Sequence, residues 1–139
     1  MKFLLILIFI TSVVFAQQQP GKASNSYHGD KCLYGNIDLS QLEEGILKPI
    51  GNATLIQHFA STNTYIIDWM EDTNNVTMRL VMNDEMSDQN LYVDDYSKIA
   101  FYVDNKIESE GKLTLTTVKG TEINGKITNS IFVFENLKK

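Results

Sequence analysis

Val76-Thr77-Met78-Arg79-Leu80-Val81-Met82 is the stretch on which the fold turns: Val76, Met78, Leu80 and Met82 share one side, with Thr77 and Arg79 on the other. A repeat of two marks a strand with one buried face, because successive side chains of an extended backbone point to opposite sides. The same period recurs along the chain. Tyr65, Ile67 and Trp69 alternate with Ile66, Asp68 and Met70. Ile99, Phe101 and Val103 alternate with Ala100 and Tyr102, and Leu113 and Leu115 with Thr114 and Thr116. Ile123 and Ile127 flank Asn124 and Lys126 in the same manner. The closing run Ser130 to Glu135 carries Ile131-Phe132-Val133-Phe134, apolar on both faces, which suits a central strand.

Turn-forming residues separate these runs. Ser61-Thr62-Asn63, Asp72 to Asn75, Asn83 to Gln89, Asp94-Asp95, Gly120-Thr121 and Asn129 are candidates. Asp104-Asn105 is expected to form a tight hairpin, since both residues tolerate positive φ. Asn124-Gly125 reads either as a turn or as a bulge within a strand. One short helix is expected near residues 40–45, where Ser40-Gln41-Leu42-Glu43 has the pattern of a capping box and Gly45 could end the turn. Pro49 makes its neighbourhood a poor central strand. The expectation is an all-β chain: an antiparallel β-sandwich or small β-barrel of about eight strands.

The N-terminus sets the compartment. Lys2 precedes the apolar run Phe3 to Ala16, which ends Val14-Phe15-Ala16, the form of a signal peptide cleaved after Ala16. The run falls short of the roughly 20 residues a membrane-spanning helix needs, and no second one follows, so no membrane span is expected. The organisation predicted is therefore a signal peptide over 1–16, a flexible polar leader over 17–29 and a single β-domain over 30–139, secreted or periplasmic. Cleavage would leave 123 residues, 139 less 16, enough for one core. It removes Lys2 and leaves 11 basic against 17 acidic residues, a formal charge of −6. Such a surface, with Arg79 as its one arginine, offers little to neutralise phosphates, which excludes nucleic acid as the natural partner. Cys32 is the only cysteine, so no intrachain disulfide can form and packing must supply the stability.

Few residues point to chemistry. His28 falls in the expected leader and His58 in a strand-like stretch, which reads as an ordinary strand position. His28, Asp30 and Cys32 stand on alternate positions and could share a strand face, but three mixed ligands make an incomplete zinc set. The stretch Asp84 to Asp95 holds Asp84, Glu85, Asp88, Asp94 and Asp95 with no base among them. These acids read first as solvated loop carboxylates that keep a β-protein soluble. Asp84, Asp88, Asp94 and Asp95 are also the candidate oxygen ligands for calcium, although the spacing is not that of an EF-hand. Asn52-Ala53-Thr54 and Asn75-Val76-Thr77 are glycosylation sequons, so Asn52 and Asn75 would carry glycans in a eukaryotic secretory pathway.

The segments Gly111-Lys112-Leu113-Thr114-Leu115-Thr116 and Ile123-Asn124-Gly125-Lys126-Ile127, with the aromatic last strand and the Val-Phe-Ala ending before glutamine, resemble small exported all-β proteins of Bacteroidota. The likeness covers about a third of the chain. It implies an exported all-β domain of unknown function, and the absence of a cysteine at the cleavage site departs from the lipid-anchored members. The reading that follows is a non-enzymatic exported domain binding an extracytoplasmic protein or glycan. Two others compete: a lipocalin-like carrier of a small apolar ligand, which needs a cavity of about 300 Å³ or more, and a hydrolase working through the acidic-loop carboxylates.

Overall fold

The computed structural model describes residues 23–38, 43–44, 46–83, 85 and 90–139. They form twelve strands: β1 Asn25–Gly29, β2 Lys31–Asp38, β3 Glu43–Glu44, β4 Lys48–Gly51, β5 Thr54–Phe59, β6 Thr64–Glu71, β7 Asn74–Met82, β8 Leu91–Asp94, β9 Ala100–Lys106, β10 Lys112–Thr117, β11 Thr121–Ile123 and β12 Lys126–Glu135. A four-residue helix α1, Ile107–Glu110, links β9 to β10. The all-β expectation holds, with more and shorter strands than about eight. They make one antiparallel sheet curled into a half-barrel rather than two stacked layers.

The strand order is β1-β5-β6-β7-β8-β9-β10-β12-β2-β3, with β4 pairing β2 and β11 pairing β12. Strands β5 to β10 are a meander, each antiparallel to the next. The N-terminal strands flank it. β1 lies on β5 and β2 lies on β12, yet only Asp30 separates β1 from β2. One residue cannot span a flat sheet of this width, so the two flanks meet at that end. The tail fastens the junction: His28 N–H donates to Lys138 O at 2.7 Å, Lys138 N–H returns a bond to His28 O at 2.9 Å, and Asn136 Nδ2 donates to Asp30 at 2.9 Å.

The period-two residues of β6, β7, β9 and β10 point inward as the sequence predicts. Register sets Trp69 opposite Val76, Ile67 opposite Met78 and Tyr65 opposite Leu80, and Ile67 and Leu80 are fully buried. Phe101, Val103, Leu113, Leu115 and Phe134 continue the core across the sheet. β12 is central, paired to both β10 and β2, and its outward Ile131 and Val133 are buried as well. That accounts for a strand apolar on both faces. β4, which carries Pro49, pairs β2 alone, as a strand missing an N–H donor should.

Several local expectations are corrected. The leader predicted over 17–29 overlaps β1, because Tyr27, between half-buried Ser26 and exposed His28, buries its ring in the core. Residues 17–22 of it, with the signal peptide 1–16, lie outside the described residues. Of the helix expected over 40–45, Glu43 and Glu44 are extended and pair with Asp38 and Ile37, and the rest is outside the described residues. Asp104-Asn105 is not a hairpin but the interior of β9. Asn105 is held there by its own side chain, whose Nδ2 donates to the Tyr65 hydroxyl at 2.8 Å while Oδ1 accepts from Ile107 N–H at 3.0 Å. The reversal falls one turn later, at Gly111 with φ +64°. Asn129 is likewise mid-strand, buried and donating to the carbonyls of Thr117 and Val118 at 2.6 and 3.2 Å. Asn124-Gly125 is a turn rather than a bulge: both have positive φ and join Ile123 to Lys126, the two-residue hairpin geometry that Asn-Gly favours. Ile123 and Ile127 beside it are exposed at 45% and 68%, so their alternation does not mark a core face.

Candidate functional site

The inward face is not filled along its whole length. At the end where β9 runs into α1, the space is closed. Ile107 of α1 and Leu137 of the tail are buried in the core, and Glu108 accepts a 2.8 Å bond from the Tyr27 hydroxyl. That bond and Lys139, 3.5 Å away, hold the Glu108 carboxyl below its usual range, while burial first and the Glu108 bond second push the Tyr27 phenol up to about 12.

Tyr65 lies deeper on the same side, stacked on His58 with centroids 4.5 Å apart and edge-on to Tyr92 at 5.4 Å. Burial raises the Tyr65 phenol and lowers the His58 imidazole. It also lifts Tyr92 to about 12, helped by its neighbour Tyr65.

At the opposite end a pocket of about 580 Å³ opens between β2, β7, β9, β10 and β12 and the loop that joins β8 to β9. Val76, Met78, Phe101 and Phe132 form its apolar wall, with Tyr96 and Ile99 of the loop at its rim. Phe132 is the hub of the floor. Its ring lies 5.0 Å from Tyr34, 5.9 Å from Trp69 and 6.2 Å from Phe101, centroid to centroid. Val76, Met78 and Phe132 point inward by register yet stay partly accessible, which is what lining a cavity produces. Polar groups complete it, Thr77, Ser97 and Thr117 among them. The Tyr34 hydroxyl is 3.1 Å from Ser130 Oγ, and the Asp94 carboxylate, 4% exposed, is set into the wall.

Asp94 carries the loop. Its Oδ1 accepts from Arg79 N–H at 3.0 Å, and its Oδ2 accepts from Ser97 N–H and Ser97 Oγ at 3.1 and 2.6 Å. Backbone bonds Asp94 N–H to Ile99 O and Lys98 N–H to Asp94 O, at 2.9 and 2.8 Å, close the same turn. The Asp therefore acts as a clasp that fixes Tyr96 and Ile99 over the mouth.

The other sequence candidates are distributed elsewhere. Asp95, adjacent to Asp94, is exposed and pairs with Lys98 Nζ at 3.1 Å. Asp84 and Asp88 lie outside the described residues. The two described members of the calcium set are thus engaged by protein donors, and among the described residues no group of three or more His, Cys, Asp or Glu is placed to hold a metal. His28 is exposed on β1 while Cys32 is fully buried on β2, so the alternate-position set does not converge. Burial, with Glu71 nearby, pushes the Cys32 thiol up to about 12. Asn52 and Asn75 are both exposed, at the β4–β5 connection and the start of β7. Among the described residues no helix is long and apolar enough to cross a membrane.

Comparison with models of known families, with curated proteins and with solved structures gives no match.

The sequence reading placed Met78 and Phe101 on inward faces but gave no sign that they line a cavity. Ile99, read with Phe101 and Val103 as one strand face, instead lies in the loop before β9 at 47% exposure, and nothing in the sequence marks Tyr34 or Ser130 as pocket residues. Period two reports which side of the sheet a residue faces, and leaves open whether another side chain reaches it.

Proposed function

We propose that this is an exported β-protein that carries a small, mainly apolar molecule in the open end of its half-barrel. One observation supports the reading above the others: an apolar-walled pocket of about 580 Å³, within the range of about 300–1,000 Å³ typical of small-molecule sites. Its position is the one expected of such a carrier, with a stoppered far end, an aromatic floor and a loop at the rim. Docking on an extracytoplasmic protein or glycan is the second reading, and draws on the exposed Tyr96, Ile123 and Ile127, which stand on separate elements. The hydrolase reading gains nothing from Asp94 and Asp95, whose oxygens serve the loop.

The test is titration of the purified protein with the uncharged fluorophore N-phenyl-1-naphthylamine. Saturable enhancement of its emission is expected, and Val76→Trp, which fills the pocket from its wall, is expected to abolish it without lowering the melting temperature. Absence of saturable binding to the wild type, or equal binding to Val76→Trp, would refute the carrier reading.

A further inference from the structure

The charges and hydroxyls of the pocket decide more than its volume does. Its lining contains Asp94 and no lysine, arginine or histidine. Four cations come near in sequence or register, and none is in the lining: Arg79, next to Met78, faces the other side of β7, and Lys119, two residues beyond Thr117, is exposed, as are Lys98 and Lys48. Lys98, within the loop, has its ammonium 3.1 Å from Asp95, and Lys48, opposite Tyr34 across the β2–β4 pair, is exposed and outside the lining. Asp94 is 4% exposed and takes three protein donors, so its negative charge is a fixed part of the wall. An anionic head entering here would leave water, find no cation in the lining and face a like charge, and each of these opposes binding.

The hydroxyl pair offers the converse. Tyr34 and Ser130 each carry one O–H and acceptor lone pairs, and their mutual 3.1 Å bond uses one hydrogen between them. The second hydrogen remains free to donate, and the lone pairs left over remain free to accept. Such a pair serves a hydroxyl or carbonyl equally well. We infer that the occupant is an uncharged amphiphile, an apolar body of alkyl or ring character bearing a hydroxyl or carbonyl head, and that carboxylate- or phosphate-headed lipids are excluded. This rests on the carrier reading and narrows it.

The experiment displaces N-phenyl-1-naphthylamine from the wild-type protein at neutral pH with dodecan-1-ol or with dodecanoate, each below its self-association concentration. Dodecan-1-ol is expected to displace half the probe at a concentration roughly tenfold or more below that of dodecanoate, as the cost of desolvating an unpaired anion requires. Ile99→Lys places a cation at the rim, at a position 47% exposed and so tolerant of the change. It is expected to shrink that ratio, and Tyr96→Lys, at 65% exposure, provides the parallel variant.

Dodecanoate competing as well as the alcohol would overturn the head-group inference and leave the carrier reading standing. A ratio unmoved by both lysine variants would overturn its electrostatic cause. Failure of the probe itself to bind would take the carrier reading down with it.

Discussion

Replacing Asp94 by alanine tests whether that carboxylate is a structural clasp. Three donors lose their acceptor: Arg79 N–H, Ser97 N–H and Ser97 Oγ. Ser97 is exposed, so both of its groups can turn to water. Arg79 is half-buried between β6 and β8, and its N–H is left without a partner. A stranded buried donor costs about 1–3 kcal/mol, and a hydrogen bond to a charged acceptor is worth about 1.5–3 kcal/mol. Removing the carboxylate also recovers part of its own desolvation cost, so the net loss is about 2–3 kcal/mol. For a domain of this size that lowers the melting temperature by about 10 °C. Asp94→Asn keeps one carbonyl oxygen but turns an amide N–H toward the remaining donors, and should lose about half as much. Differential scanning fluorimetry of the three proteins, with and without calcium, reads the outcome. An Asp94→Ala variant melting within about 2 °C of wild type would refute the clasp, because an unsatisfied buried donor cannot be that cheap. Calcium raising the melting temperature of the wild type but not of the variant would refute it in another way, by making Asp94 a metal ligand.

Cys32, fully buried with its thiol pushed up to about 12, should fail to react with Ellman's reagent in the native protein and react stoichiometrically once guanidinium unfolds it; rapid native labelling would contradict its burial. His58 has its pKa lowered from 6.5 by burial, so the unfolded chain binds the proton more readily and stability falls as pH drops through 6.5 toward the folded value. His58→Phe keeps a ring against Tyr65 and should flatten the decline in melting temperature between about pH 7 and about pH 5; an unchanged slope would assign it to other groups. Gly111→Ala meets two penalties, a φ of +64° and the Leu137 carbonyl 3.1 Å from the new Cβ, whereas Gly125→Ala meets φ +79° with nothing within 4 Å. Urea denaturation should give the first a loss of more than about 1–2 kcal/mol and the second about 1 kcal/mol, and the reverse order would show that the tail does not press on that turn.

The amino-acid order alone determined the class of the fold and much of its inner face. Val76 to Met82, Tyr65 to Trp69 and Leu113 to Leu115 alternate, and an extended backbone has no other way to bury them together. The doubly apolar Ile131-Phe132-Val133-Phe134 marked the central strand for the same reason. Where a polar side chain has a choice, local pattern misled. Asn105 and Asn129 have the composition of turns, but each is drawn into a strand by a distant partner, Tyr65 in one case and the Thr117–Val118 carbonyls in the other. The pocket was not legible in advance. It exists because a single curled sheet, pinned where β1 meets β2 and stoppered by Ile107 and Leu137, has more inner space at its far end than Val76, Met78, Phe101 and Phe132 can fill. Alternation fixes which way a side chain points, and only the closing of the sheet fixes what it meets there.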